Sequence, residues 1–172
     1  QAVANTIGEY KYRQSLGNLV HRKSLYTYWK RTIPPPSMVT LDASTRDKCT
    51  VKRQATNTPL QAMILLNDPQ YVEASRILAE RMLKEGGLDV EDRIIFAFKL
   101  ATSRKPNASE LGELADLYDQ QIQYYRRTPE AAMELFSIGD SPFDSDIDNI
   151  KLAASTIIAS TIINLDETVR KG

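Results

Sequence analysis

The residues best suited to binding a ligand lie between positions 29 and 68 of this 172-residue chain, around a long loop and the two helix starts that follow it. They are Trp29, Asp42, Arg46, Arg53, Asn57, Gln61, Asn67 and Asp68. Arginine holds carboxylates and phosphates through paired hydrogen bonds, and helix N-termini attract anions. The pattern therefore predicts a site for a small anionic ligand. The favoured alternative is structural, because Asp, Asn and Thr at turns bond their own backbone.

Trp29 also belongs to an aromatic cluster with Tyr26 and Tyr28, followed by Lys30 and Arg31. Flat aromatic faces beside cationic donors are suited to stacking on sugars or bases. The favoured alternative is that these rings pack against the proline-rich turn that comes next in the sequence.

Catalytic and metal-binding side chains are scarce in this sequence. Cys49 is the only cysteine and His21 the only histidine, which excludes an internal disulfide and a thiolate zinc cluster. Nothing in the spacing supports a Cys–His pair. The run 140–148 holds four aspartates but lacks the glycine and terminal glutamate of a calcium-binding EF-hand loop. We therefore predict no catalytic residue and no metal site, and expect a capped turn at 140–148.

Charge is unevenly distributed although the net charge is zero. Residues 1–60 hold ten Lys or Arg against three Asp or Glu, which gives +7; residues 61–172 hold twelve against nineteen, which gives −7. A basic segment can contact nucleic acid. Docking between parts of one polypeptide is favoured over nucleic acid, because the chain is not basic overall. No run of eighteen apolar residues is present, so no membrane span is predicted.

Prolines placed directly after capping residues divide the chain from residue 58 onward into helices. Thr58-Pro59, Asp68-Pro69 and Thr128-Pro129 each put a proline at the first helical position, where its missing N–H costs nothing. Asn107 or Ser109 caps the fourth helix, and Glu110 lies three residues after Asn107, as in a capping box. Six helices are predicted, at about 59–67, 69–85, 90–103, 108–127, 129–138 and 146–165.

Periodicity assigns faces to these helices. Arg76, Glu80 and Lys84 are placed on the outer face of the second, with an ion pair between Glu80 and Lys84. The last helix is apolar nearly all round, which is typical of the central helix of a bundle.

The first third of the chain has a different character. Residues 33–38 contain three consecutive prolines and should be extended, and a short strand around Cys49–Lys52 is one option. The predicted fold class is all-α. It consists of a bundle of about six helices over 58–172, with an extended, basic, proline-rich segment over 1–57 packed on it as part of the same domain.

Several long runs of unusual composition point to a known family. They are "SLYTYWKR" (24–31), "PPPSM" (34–38), the segment from Asp42 through Arg46 to Cys49, and "TNTPLQAMILLNDPQYVEA" (56–74). Over residues 22–84 the chain closely resembles the C-terminal domain of unknown function, the PSD family, of planctomycete-type cytochrome c proteins, which also occur in Bacteroidetes. Residues 85–172 resemble it in style only, and residues 1–21 are not placed by the resemblance.

The resemblance implies context rather than chemistry. Such proteins are exported to the periplasm or cell surface and carry further domains upstream, often with a covalent haem c. The haem attachment motif Cys-x-x-Cys-His is absent here, so no cofactor is expected in this chain, which begins with Gln1 and is expected to be a fragment of a longer protein.

Three functions follow as hypotheses. The first is a non-catalytic module that packs on upstream domains of the same polypeptide or on another exported protein. The second is part of a carbohydrate- or anion-binding or enzymatic site completed by upstream domains, with a polysaccharide as the ligand. The third is nucleic-acid binding by the basic N-terminal segment.

Overall fold

The computed structural model describes Trp29 and residues 34–44, 47–52 and 56–169. The chain divides into two compact units, Gln1–Gln61 and Ala62–Gly172. Over the described ranges every regular element is a helix, and the all-α prediction is confirmed.

The first unit contains α1 (Pro36–Thr40) and the start of α2 (Pro59–Asn67). The extended course predicted for 33–38 is wrong from Pro36 onward. Pro35 has φ −58° and ψ 124°, which is polyproline-like, but Pro36 begins a helical turn. A proline tolerates the first turn of a helix because its nitrogen needs no partner there. The described loop 47–52 contains no strand.

The second unit is a bundle of helices arranged around α7 (Asn149–Ile163). The other helices are α3 (Pro69–Glu85), α4 (Val90–Thr102), α5 (Ala108–Arg127), α6 (Pro129–Phe136) and α8 (Asp166–Val169). All of them contact α7, α3 most extensively and α8 least. Leu152, Ile158 and Ile162 of α7 have no exposed surface. The all-round apolar character of this helix therefore predicted its central position correctly.

Most helix boundaries agree with the capping signals. Asp68 accepts a hydrogen bond from the N–H of Gln70, and Asn107 forms the expected capping box with Glu110. At Thr128 the helix starts at Pro129 as predicted, but the side-chain cap is not formed, because the Thr128 hydroxyl donates to the carbonyl of Tyr124 in the preceding helix.

Helix α7 is shorter than the last helix predicted from the sequence. It spans 149–163 rather than 146–165, because Asp148 caps it through the N–H groups of Ile150 and Lys151 and the chain turns into α8 after Asn164. None of the helices in the described ranges is long and apolar enough to span a membrane.

Candidate functional site

Asp42 and Gln61, two of the predicted ligand-binding residues, meet in the first unit. Asp42 follows α1 in the left-handed conformation, with φ 59°. Its carboxylate accepts hydrogen bonds from the Thr56 N–H at 2.7 Å, the Thr56 hydroxyl at 2.9 Å and the Gln61 amide at 3.0 Å. We call this arrangement the Asp42 network. It ties the turn after α1 to the segment that leads into α2.

Gln61 is the buried centre of the Asp42 network, with 4% of its surface exposed. Its Nε2 also donates to the carbonyl of Thr40 at 2.8 Å, and its Oε1 accepts from the N–H of Thr58 at 3.0 Å. In return, the N–H of Gln61 lies 3.3 Å from the hydroxyl of Thr58, which completes a capping box at the start of α2. The polar groups of Gln61 are thus used within the chain.

Asn67 and Asp68 use their side chains at the junction of α2 and α3 instead. Asn67 donates from Nδ2 to the carbonyl of Met63 at 2.8 Å, and Asp68 caps α3. Asn57 is exposed and Trp29 is partly buried. Arg46 and Arg53 lie outside the described residues, so their predicted role as anion ligands stays a prediction.

A second polar cluster, which the sequence interpretation missed, lies in the second unit. Arg76 was placed on the solvated face of α3, but the structure buries it to 1% exposure beside Glu73, which is 7% exposed. Arg76 follows Val72 by four residues and precedes Ala79 by three, so it lies within the apolar stripe of α3. This spacing could have predicted that Arg76 is buried. It was outweighed by the expectation that an arginine side chain faces water.

Glu73 and Arg76 hold the loop between α6 and α7. The Glu73 carboxylate accepts hydrogen bonds from the N–H of Asp140 at 3.0 Å, from the N–H of Ser141 at 3.2 Å and from the Ser141 hydroxyl. Arg76 donates from Nη2 to the carbonyl of Ser141 at 2.6 Å and from Nη1 to Glu80 at 3.2 Å. The Nε of Arg76 is buried and has no acceptor among the described residues.

The surroundings of Glu73 keep it ionised. The hydrogen bond from the Ser141 hydroxyl, helped by the Asp140 and Ser141 N–H groups and the charge of Arg76, lowers the pKa of Glu73 against the opposing effect of burial. The predicted ion pair between Glu80 and Lys84 is absent from this described cluster. Glu80 pairs with Arg76, and Lys84 pairs with Asp144 at 2.5 Å.

A third cluster closes the junction between α4 and α5. Arg104 pairs with Glu110 at 2.7 Å and with Glu167 at 2.5 Å, and its guanidinium lies 4.8 Å from the centre of the Phe98 ring. The hydrogen bonds from Arg104 and from the Asn107 N–H lower the pKa of Glu110 to about 2. The same carboxylates raise the pKa of Arg104.

All three clusters join one stretch of chain to another. The hydroxyls of Thr56 and Ser141 each donate to a carboxylate that also accepts backbone N–H groups. The described residues contain no group of three or more His, Cys, Asp or Glu arranged to hold a metal ion. In the 140–148 run, Asp148 caps α7 and Asp144 pairs with Lys84. These arrangements are suited to fixing loops and helix ends.

Helix α2, whose sequence PLQAMILLN has no charged residue, exposes apolar side chains. Met63 and Leu66 are 60% and 45% exposed, and Leu60 at the start of the helix is 57% exposed. Residues three apart on a helix lie on the same face. Met63 and Leu66 therefore form an exposed apolar surface, which we call the α2 face.

The sequence was compared with protein families, curated proteins and solved structures. No significant match to a curated protein or to a solved structure was found. The family comparison matches residues 1–118, including residues 1–21, which the sequence resemblance had not placed, and residues 85–118, which resembled the family in style only. Because the match covers more than half of the chain, this protein belongs to the PSD1 family of proteins of unknown function (DUF1553).

Proposed function

We propose that this chain is a non-catalytic helical module of a larger exported protein, and that it packs on other domains of the same polypeptide through the α2 face. The observation that carries the proposal is the exposure of Met63 and Leu66 on a helix with no charged residue. Charged residues are depleted and Met is enriched at the centres of protein–protein interfaces. Unbranched Met also adapts its shape to an irregular partner surface.

The polar clusters support a structural role. The Gln61 amide, the Glu73 carboxylate and the Arg104 guanidinium each bond to other parts of the chain. Binding a ligand at any of these groups would require breaking bonds that already exist. The α2 face can be covered by a partner without such a cost.

Binding between this chain and the upstream domains encoded in the same reading frame tests the proposal. The two parts are produced separately, and their affinity is measured by isothermal titration calorimetry. In the test variant Met63 and Leu66 are both replaced by Gln, which is a good helix former. The control variant is Leu88→Gln, because Leu88 is 91% exposed but lies outside α2. We expect the double variant to bind at least about tenfold more weakly, and the control to bind like the wild type.

Equal affinity of the wild type and the Met63/Leu66 variant would refute the α2 face as the contact. Failure of the wild-type chain to bind any upstream domain would refute the module function. Titration with an anionic polysaccharide and with DNA at two salt concentrations tests the rival functions. Salt-sensitive DNA binding would support nucleic-acid recognition, and glycan binding lost in Trp29→Ala would support a carbohydrate site.

The cellular context belongs to the same proposal and rests on the family resemblance. We expect the full reading frame to begin with an export signal and to place any Cys-x-x-Cys-His haem motif upstream, because this chain has Cys49 as its one cysteine. A reading frame without an export signal would contradict the exported location.

A further inference from the structure

Residues 139–144, in the loop between α6 and α7, form a segment that we call the strap. Glu73 of α3 accepts three hydrogen bonds from it, from the N–H groups of Asp140 and Ser141 and from the Ser141 hydroxyl. Both backbone donors therefore depend on a single carboxylate. Loss of that carboxylate as an acceptor would release both N–H groups at once.

Two cations of α3 complete the attachment of the strap. Arg76 donates to the carbonyl of Ser141 at 2.6 Å, and Lys84 pairs with Asp144 at 2.5 Å. Lys84 is 53% exposed, so salt and water weaken its ion pair. The attachment is polar along most of its length.

Apolar contacts of the strap are limited. Phe143 packs against Phe136 with 4.9 Å between ring centres, and no residue from 139 to 144 is fully buried. By contrast, Ile158 of α7 has no exposed surface. Segments with few buried apolar contacts and exposed backbone open at lower free energy than the core of the same domain.

Arg76, which donates to the strap, also carries a buried donor that no described residue satisfies. Arg76 is 1% exposed, and no acceptor for its buried Nε lies in the part of the chain that the structure describes. A buried donor without an acceptor destabilises the state that buries it, whereas water satisfies the same donor once the strap lifts. This difference narrows the free-energy gap between the closed and open forms.

We propose that the strap opens from α3 as a local unit while the helices around α7 stay folded, and that its opening exposes the Arg76 guanidinium. In the open form the guanidinium is accessible to solvent and reagents while its ion pair with Glu80, within α3, can persist. The strap is in this respect a conformational device of the second unit, independent of the α2 face.

Native-state hydrogen exchange followed by NMR tests local opening on the whole chain. The N–H groups of Asp140 and Ser141 should exchange through an opening that is insensitive to low urea concentrations, whereas those of Leu152 and Ile158 should exchange only through global unfolding. In Glu73→Gln the two strap amides should exchange about tenfold to a hundredfold faster, since the charged acceptor is lost, with little change for Ile158. Exchange of the strap amides at the same rate and urea dependence as Ile158 would overturn the proposal. If Glu73→Gln does not fold, the comparison of the strap amides with Ile158 in the wild type is sufficient to test local opening.

Chemical modification provides a second measurement. Phenylglyoxal should modify Arg76 slowly but measurably under native conditions, and faster in Glu73→Gln. The exposed Arg126 serves as an internal control for reagent activity, because its modification should not differ between the two proteins. If Arg76 is modified only at urea concentrations where the Ile158 N–H also exchanges, then global unfolding exposes Arg76. That result would refute local opening of the strap.

Discussion

Replacing Gly139 with alanine should destabilise the protein, whereas the same replacement at Gly112 should stabilise it. Gly139 has φ +97°, a conformation that side-chain-bearing residues rarely adopt. A Cβ added there would lie 2.8 Å from Cδ and 2.9 Å from Cβ of Glu73. The strap or Glu73 must therefore move to accommodate it.

The expected loss at Gly139 has two parts. Forcing a residue with a Cβ to positive φ costs about 1–2 kcal/mol. Displacing Glu73 weakens a charge-assisted hydrogen bond to the strap, worth about 1.5–3 kcal/mol. The sum is roughly 2.5–5 kcal/mol. If the strap opens locally, the loss of unfolding free energy in Gly139→Ala should be near the lower value, because the added Cβ does not overlap Glu73 in the open form.

Gly112 is the matched control. It lies inside α5, and a Cβ added there would meet no atom within 4 Å. Glycine inside a helix costs about 0.5–1 kcal/mol relative to alanine, because its backbone loses more freedom on folding. Gly112→Ala should therefore raise the free energy of unfolding by about that amount.

Urea unfolding followed by far-UV circular dichroism compares the wild type with the two variants, and a similar m-value in all three would show that midpoints can be compared. The two substitutions should shift the midpoint in opposite directions. A Gly139→Ala protein as stable as the wild type, or stabilised like Gly112→Ala, would refute the close packing of the strap on Glu73.

Three further predictions follow from the burial and pKa differences in the second unit. Arg76→Ala should lower the free energy of unfolding by about 3–5 kcal/mol because it removes one partner of a buried ion pair, whereas Arg81→Ala, which removes an exposed pair, should barely move the urea midpoint. The Glu110 carboxyl should titrate near 2 by NMR, and Arg104→Gln should move its pKa toward the usual 4.5. Since the folded-state pKa is the lower one, the contribution of Glu110 to stability is present above about 4.5 and is lost as pH falls toward 2. Ile158→Ala should lower the free energy of unfolding, measured with urea, by about 2–5 kcal/mol, because it leaves a cavity where the fully buried Ile158 side chain was. An unshifted Glu110 titration, a fully tolerated Ile158→Ala, or equal effects of the two arginine substitutions would each contradict the structure.

The candidate site was only partly predictable. Asp42 and Gln61 were both named from the sequence and do meet, yet the contacts of Gln61 with the Thr40 carbonyl, 21 residues away, were not foreseen. The second cluster was missed because Glu73 and Arg76 were assessed as members of one helix. Their partners, Asp140 and Ser141, lie more than sixty residues further along the chain.

The sequence by itself determined the features that depend on residues close together in the chain. The capping box of Asn107 and the Asp68 cap before Pro69 fix helix starts through neighbours within three residues, and the all-round apolar surface of α7 requires a central position in any bundle. Only the tertiary structure decided which charges are buried and which are exposed. Arg76 is buried and donates to the Ser141 carbonyl of the strap, and Lys84 pairs with Asp144 of the strap rather than with Glu80. The physical difference is that caps and periodicity depend on adjacent residues, whereas the burial of a charge depends on what a distant segment places against it.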